Sequence, residues 1–396
     1  MQGIEKSHCN TAIQAVLSAF HSFMSSTVEE ALRPVNVNAY GKIDTLGLDA
    51  IPEINIVRSL REYDGHCVVI SEEIGVENSF PADSTDPRRY RTIFFCDPTD
   101  RSRQVQEILT TISDKSQHVG DVFRTSEIQK VWEKKYGGTP AISGGSSAIT
   151  CVRDRVPIFS VMVNYLTQQL FLSCGAGNFV IDISKDQSKA KAVTTDFIAS
   201  HGKRIYFHDL NHSEVRRYVT FVSKQVYPDN LRDCRLMSEE EIERQREYDV
   251  PGGPLRILYL STLQPEERHV GFILANGEKI TEWIHWLPYV LFARKKSDDS
   301  APALRLFEVF QDRPRTKDGI LMAPPARYSV FTPFSKDDHR MIIDVSRFAN
   351  FFPTDPSQFR ATLIATPYDN NWMTGVMRQY GYRSIQLYQE AERVEK

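Results

Sequence analysis

Two short stretches decide how this chain is read: Cys67-Val68-Val69-Ile70-Ser71-Glu72-Glu73 and Thr92-Ile93-Phe94-Phe95-Cys96-Asp97-Pro98-Thr99-Asp100-Arg101-Ser102. Each runs from a short apolar, β-branched segment into a cluster of acids. Apolar runs of this length, bounded by polar residues, read as buried strands. The clusters lie about 25 residues apart, so neighbouring strand ends would bring four carboxylates together. Such carboxylates repel one another unless cations lie between them. Donor sets made only of oxygen suit Mg²⁺ or Mn²⁺ better than zinc. The combination points to metal-assisted chemistry on a phosphate ester. Each piece alone has a plainer reading. Glu-Glu after a strand makes a solvated turn, and Asp-Pro-x-Asp is a good turn sequence because Pro presets φ and Asp bonds to nearby backbone. The specificity lies in the pair, both at strand ends and in this order.

The pair resembles the metal motifs of the fructose-1,6-bisphosphatase / inositol monophosphatase family, where the first reads (G/S)-E-E and the second D-P-(L/I)-D-G-(S/T). Residues 68–102 carry S-E-E, a loop, an apolar strand and D-P-T-D-R-S. Upstream, Lys42-Ile43-Asp44-Thr45-Leu46-Gly47-Leu48-Asp49 is similar to the family segment that ends in an Asp opening a helix. Downstream, Gly144-Gly145-Ser146-Ser147-Ala148 followed by Ile149-Thr150-Cys151-Val152 resembles the family's glycine-small turn into a strand. Residues 158–163 and 169–172 resemble the strand pair that follows. Near the C-terminus, Tyr368-Asp369-Asn370-Asn371-Trp372-Met373 through Gly381 resembles the bisphosphatase helix that opens on Tyr-Glu. The resemblance covers much of 1–183 and roughly the last 40 residues; 208–350 match poorly.

The resemblance implies an α/β fold, a layered α-β-α-β-α arrangement of two sheet-containing domains. It implies two to three Mg²⁺ (or Mn²⁺) ions held by Glu72, Asp97, Asp100 and Asp369, with the carbonyl of Thr99 as a further ligand. It implies direct hydrolysis of a phosphomonoester by metal-activated water, without a phosphoenzyme. Glu73 and Asp49 match positions that hold this water or relay its proton, and Ser102 would orient it. The backbone N–H of Ser102 would face phosphate at a helix N-terminus. Asp44 would support the acids or sit in a surface turn. For Asp49 and Asp369 the plainer alternative is a helix N-cap.

Three departures from the family pattern bear on substrate. Arg101 stands where the family has glycine; its guanidinium would either bind the substrate phosphate or block the pocket. No basic residue stands in Leu363-Ile364-Ala365-Thr366-Pro367, and Arg360 is the nearest upstream of Asp369, which disfavours fructose 1,6-bisphosphate. Trp372 and Arg378 replace a proline and an acid of the family helix. The expected partner is a small phosphorylated metabolite: a sugar, polyol or nucleotide phosphate. Two alternatives are a catalytically inactive member serving as a binding or regulatory module, and a 3′-phosphonucleotide phosphatase.

Composition agrees with a soluble enzyme of two domains. The chain has 396 residues, 41% hydrophobic and 25% charged, with net charge −3, enough for two well-filled cores. No strongly basic segment suggests a nucleic acid polymer or an anionic membrane as partner; a homo-oligomer is left open. The six cysteines, at 9, 67, 96, 151, 174 and 234, make no Cys-x-x-Cys pair and read as reduced thiols in a cytoplasmic protein. No apolar run approaches a membrane span and no signal segment opens the chain.

Along the chain, residues 5–32 show helical spacing, with Ala12, Ile13, Val16, Leu17, Phe20, Phe23 and Met24 on one face. A second helix is expected over 49–60, with Pro52 in its first turn. Strands alternating with loops follow to about 183. The lysine-bearing polar stretch 184–195 is the expected boundary between an N-terminal domain, 1–185, and a C-terminal α/β domain, 196–396, contributing Asp369. Beyond it, strands are expected at 204–207, 256–259 and 270–273, and a helix over 280–293 interrupted at Pro288. Residues 295–303 and 311–327 read as loops.

Overall fold

The computed structural model describes residues 3–35, 45–71, 91–136, 144–153, 156–183, 192–206, 219–221, 272–276, 285, 287–300, 303–310, 361–367 and 383–387. The chain divides into two compact units, Met1–Ile205 and Tyr206–Lys396.

The first unit opens with helix α1, Ile4–Ser25, whose apolar stripe is buried from Cys9 to Met24. Helix α2, Val28–Leu32, follows as a separate element where one continuous helix was expected. The break lies at Ser26-Thr27, and local hydrogen bonding accounts for it. Thr27 Oγ1 accepts from the N–H of Glu30 at 3.1 Å, and the Glu30 carboxylate accepts from the N–H of Thr27 at 2.8 Å. This reciprocal pair satisfies donors that a new helix start leaves open. Helix α3, Gly47–Tyr63, packs along α1. It begins earlier than expected, so Pro52 is its sixth residue and lies inside the helix instead of in its first turn.

Seven strands form one sheet in chain order: β1 Val68–Ser71, β2 Thr92–Asp100, β3 Ser146–Arg153, β4 Val156–Asn164, β5 Gln169–Cys174, β6 Gly177–Asp182 and β7 Lys203–Ile205. The β1–β2 pair is parallel and the others are antiparallel. Strand β2 is buried on both faces. Phe94 and Cys96 join the helix-side core, and Ile93 and Phe95 are buried as well. Such a strand reads as a continuous apolar run without alternation. The stretch after it, expected as strands and loops, holds three helices: α4 Ser102–Thr111, α5 Val119–Phe123 and α6 Ser126–Tyr136. Their buried residues keep helical spacing, Val105, Ile108 and Leu109 in α4 and Ile128 and Trp132 in α6.

The unit boundary lies later than the polar stretch 184–195. Helix α7, Thr195–His201, and β7 belong to the first unit. The N–H and hydroxyl of Thr195 both donate to Asn10 Oδ1, at 2.8 and 2.7 Å, and Gln14 Nε2 donates to the Val193 carbonyl at 2.6 Å. Strand β7 then pairs with β6. The end of that stretch, at Val193 and Thr195, is thus anchored on α1.

The second unit contains a five-stranded sheet in the order β12-β10-β11-β9-β8. Its strands are β8 Val219–Phe221, β9 Phe272–Asn276, β10 Leu304–Phe310, β11 Ala361–Pro367 and β12 Arg383–Leu387. Helix α8, Leu287–Leu291, carries Pro288 at its second position, where a missing N–H costs little. His285 is fully buried. The expected strand at 256–259 and loop at 311–327 lie outside the described residues. Cys9, Cys67, Cys96, Cys151 and Cys174 are buried free thiols, and Cys234 lies outside the described residues. Among the described residues no helix is long and apolar enough to cross a membrane. Both units combine sheet and helix, which makes the protein α/β.

Candidate active site at the β2–α4 junction

The register of the first sheet sets the last residue of β1 level with the residue before the second acidic motif. Ser71, the last residue of β1, pairs with Cys96 of β2 in parallel. Asp97 is the next residue of β2; Glu72 and Glu73, which follow Ser71 in the sequence, lie outside the described residues, as do Asp44 and Asp369. On the other side of β2, Asp97 pairs with Ala148 and Asp100 with Ser146. Three steps on β2 therefore face two on β3. That is a bulge, a device that bends a strand and re-aims its side chains. Pro98 fits a bulge because it has no N–H for the ladder.

Hydroxyl groups hold the bulge from beneath. The Pro98 carbonyl accepts from Ser147 Oγ at 2.6 Å and from Tyr165 Oη at 2.8 Å. Thr99 Oγ1 donates to the Leu48 carbonyl of α3 at 2.7 Å and lies 3.4 Å from Tyr165 Oη. Burial raises the pKa of Tyr165. The hydrogen bonds from Ser147 and Thr99 oppose this, and the charges of Asp97 and Asp49 add to it. The phenol therefore stays neutral and serves as a fixed polar post. Tyr165→Phe should cost about 1–3 kcal/mol, because it withdraws a donor from a buried carbonyl. A thermal melt of the variant will lie several degrees below wild type; an unchanged melting temperature would contradict this role.

After the bulge the chain turns sharply. Arg101 has φ 65 and ψ 34, the left-handed region, and is the N-cap of α4. Glycine adopts this conformation without steric cost, and other L-residues do not. Arg101, expected as a phosphate ligand or a block, makes this left-handed turn itself. Arg101 is only 8% exposed. Burial lowers the pKa of its guanidinium, and the neighbouring Asp100 charge partly restores it. Ser102 is the first residue of the ten-residue helix α4, whose leading N–H groups lack intrahelical acceptors. Behind the turn, a Cβ on Gly145 would come within 2.6 Å of Val105 Cγ2. The glycine lets β3 approach α4 closely.

The acids gather on the α3 side. Asp49 is the third residue of α3 and 8% exposed, while Leu46 holds the N-cap. Its plainer reading as an N-cap therefore does not hold. Glu53, one turn further on, is 1% exposed and was missed in the sequence. Its signal was the i,i+4 spacing from Asp49, which puts both acids on one helix face. Burial holds the Cys96 thiol in its neutral form, and the charges of Glu53 and Asp97 act in the same sense. Asp97 and Asp49 both act on Tyr165. Asp49 and Glu53 are thus buried on one face of α3, and Asp97 is buried on β2, with Asp100 and Arg101 at the turn that follows.

Among the described residues, no three His, Cys, Asp or Glu side chains form a group that could hold a metal ion. The described part of the expected ligand set is Asp97, Asp100 and Thr99. Two buried hydroxyls beside it, Ser71 Oγ and Ser146 Oγ, have no hydrogen-bond partner among the described residues. They belong to the residues paired with Cys96 and Asp100. Hard oxygen donors with excess negative charge are chemically suited to Mg²⁺ or Mn²⁺.

No protein-family model matches the chain, and a comparison with curated proteins finds no match. Among solved structures, CysQ from Bacteroides thetaiotaomicron, described as a bacterial member of the inositol monophosphatase family, is 14% identical, with TM-score 0.43 over 76% of this chain and 88% of that one. The inositol monophosphatase from Anabaena (Nostoc) sp. PCC 7120 is 10% identical, with TM-score 0.46 over 94% and 96%. The extragenic suppressor protein suhB from Bartonella henselae is 12% identical, with TM-score 0.43 over 95% and 98%. These are likenesses of chain path at low identity, and the chemistry of the site rests on the chain's own residues.

Proposed function

We propose that the β2–α4 junction is the active site of a divalent-metal-dependent phosphomonoesterase acting on a small sugar, polyol or nucleotide phosphate. One observation carries the reading. The parallel register pairs Ser71, the residue before Glu72 in the sequence, with Cys96, the residue before Asp97, and the second motif runs through a bulge and a left-handed turn into a helix N-terminus. Asp97 and Asp100, with Glu72 and the Thr99 carbonyl, would hold Mg²⁺ or Mn²⁺. When bound, the cation would supply charge neutralisation and Lewis acidity at the phosphate.

The chain's own residues do the rest. The first N–H groups of α4 take phosphate oxygens, where the helix dipole favours an anion. The Ser102 hydroxyl orients the attacking water, and Asp49 accepts its proton. Burial of Asp49 and Asp97 sharpens both interactions, because charges act more strongly away from bulk water.

The burial of Arg101 favours one other reading, a binding module without activity, because a buried side chain at the turn fills space that glycine leaves to the phosphate. A phosphate-release screen over a metabolite panel, with Mg²⁺, Mn²⁺ or EDTA, separates the two when run on wild type and Arg101→Gly. The phosphatase reading expects release by wild type that EDTA abolishes. It also expects Arg101→Gly to keep activity or change specificity, since glycine suits the left-handed backbone. Release by the glycine variant alone would establish the module reading.

A further inference from the structure

Pro52 and Thr99 sit on different elements, and each lacks what the other's neighbourhood supplies. Pro52 is buried inside α3 and has no N–H. In a helix, that N–H would donate to the carbonyl four residues earlier, which is Leu48. Leu48 is fully buried, and a buried carbonyl without a donor is costly. The Thr99 hydroxyl fills the position: it donates to the Leu48 carbonyl at 2.7 Å across two elements distant in sequence. Leu48 adjoins Asp49, and Thr99 lies between Asp97 and Asp100.

We propose that Pro52 and Thr99 form a latch: Pro52 frees the Leu48 carbonyl, and Thr99 takes it, fixing the helix turn that carries Asp49 against the bulge that carries Asp97 and Asp100. Thr99 is then a positioning residue of the site. The functional half of this inference rests on the phosphatase reading; the hydrogen-bond half does not.

The latch predicts a compensating pair of substitutions. Thr99→Val removes the hydroxyl at nearly constant volume and leaves the Leu48 carbonyl without that donor. The folded-to-unfolded ratio should fall on the order of tenfold. Pro52→Ala restores a helical N–H beneath Leu48. In the double variant Pro52→Ala/Thr99→Val, the carbonyl is again satisfied, so most of the lost stability should return. A double-mutant cycle from urea melts reads this coupling directly. Additive effects of the two substitutions would overturn the latch, as would a Thr99→Val variant as stable as wild type.

Positioning is separated from stability by Mn²⁺ affinity, measured by calorimetry on the intact protein. The double variant regains stability without regaining the tie between α3 and the bulge. Its Mn²⁺ affinity should therefore stay at least about tenfold below wild type, as for loss of a residue that orients a ligand. Full recovery of affinity together with stability would make Thr99 merely structural and overturn the positioning role. Absence of Mn²⁺ binding in every variant, wild type included, would overturn the metal reading and the positioning role with it. The urea cycle would still decide whether the hydrogen-bond exchange exists.

Discussion

On the proposed function, Asp97→Asn should abolish phosphate release and weaken Mg²⁺ binding by at least about a hundredfold, the upper end of what even an outer partner of a metal ligand costs. Asp97 is 7% exposed and follows Cys96, the residue paired with the end of β1, within β2. An amide keeps the volume and one oxygen but removes the charge that a hard cation requires. Stability should move the other way or stay put, because a buried carboxylate is costly to desolvate and the neutral amide is less so. Calorimetric titration with Mg²⁺ and a thermal melt in EDTA, run on both proteins, check the two halves. Equal Mg²⁺ affinity in wild type and Asp97→Asn removes Asp97 from the ligand set and takes the proposed chemistry with it.

Those opposed effects show why the core of the site was legible in the sequence. Val68, Val69 and Ile70, like Ile93, Phe94 and Phe95, are uninterrupted apolar residues that only a strand covered on both faces can use. Each run is followed at once by acids that such a strand end cannot bury unpartnered. Spacing and residue type therefore pointed to neighbouring strands, and β1 and β2 are neighbours. Gly145 was legible through its glycine-small turn into a strand, and a Cβ there would come within 2.6 Å of Val105 Cγ2.

Other parts were hidden because they depend on tertiary partners. Nothing local announces that Thr99 will find Leu48, fifty-one residues away. Tyr165 followed an unremarkable strand, yet its hydroxyl joins Pro98, Ser147 and Thr99. Glu53 is buried because α3 turns the face it shares with Asp49 inward. The helix over 126–136 was missed because its only buried residues, Ile128 and Trp132, make a stripe too narrow to stand out among charges. The boundary was misplaced because lysines suggested a free linker, whereas Asn10 and Gln14 of α1 hold its far end.

Gly47→Ala should be the most damaging single-methyl change in the first unit. A Cβ at this position would lie 2.0 Å from the Glu30 carbonyl oxygen and 3.0 Å from the Glu30 carbonyl carbon. Both are backbone atoms of α2, so no side chain can swing aside. Helix α2 is itself held by the paired bonds of Thr27 and Glu30, and the Gly47 N–H donates to the Arg33 carbonyl at 2.9 Å. The first turn of α3 must therefore move away from α2 and break that bond. Overpacking of this kind costs about 3 kcal/mol or more, roughly 6–12 °C in melting temperature for a unit of this size. The displacement should also reach the site, because Asp49 lies two residues along and Leu48 accepts from Thr99. Mn²⁺ affinity of the folded variant should fall as well, measured well below its melting temperature. A melt within a degree of wild type would mean that α3 can shift freely against α2, and that the position of Asp49 is not set by this contact.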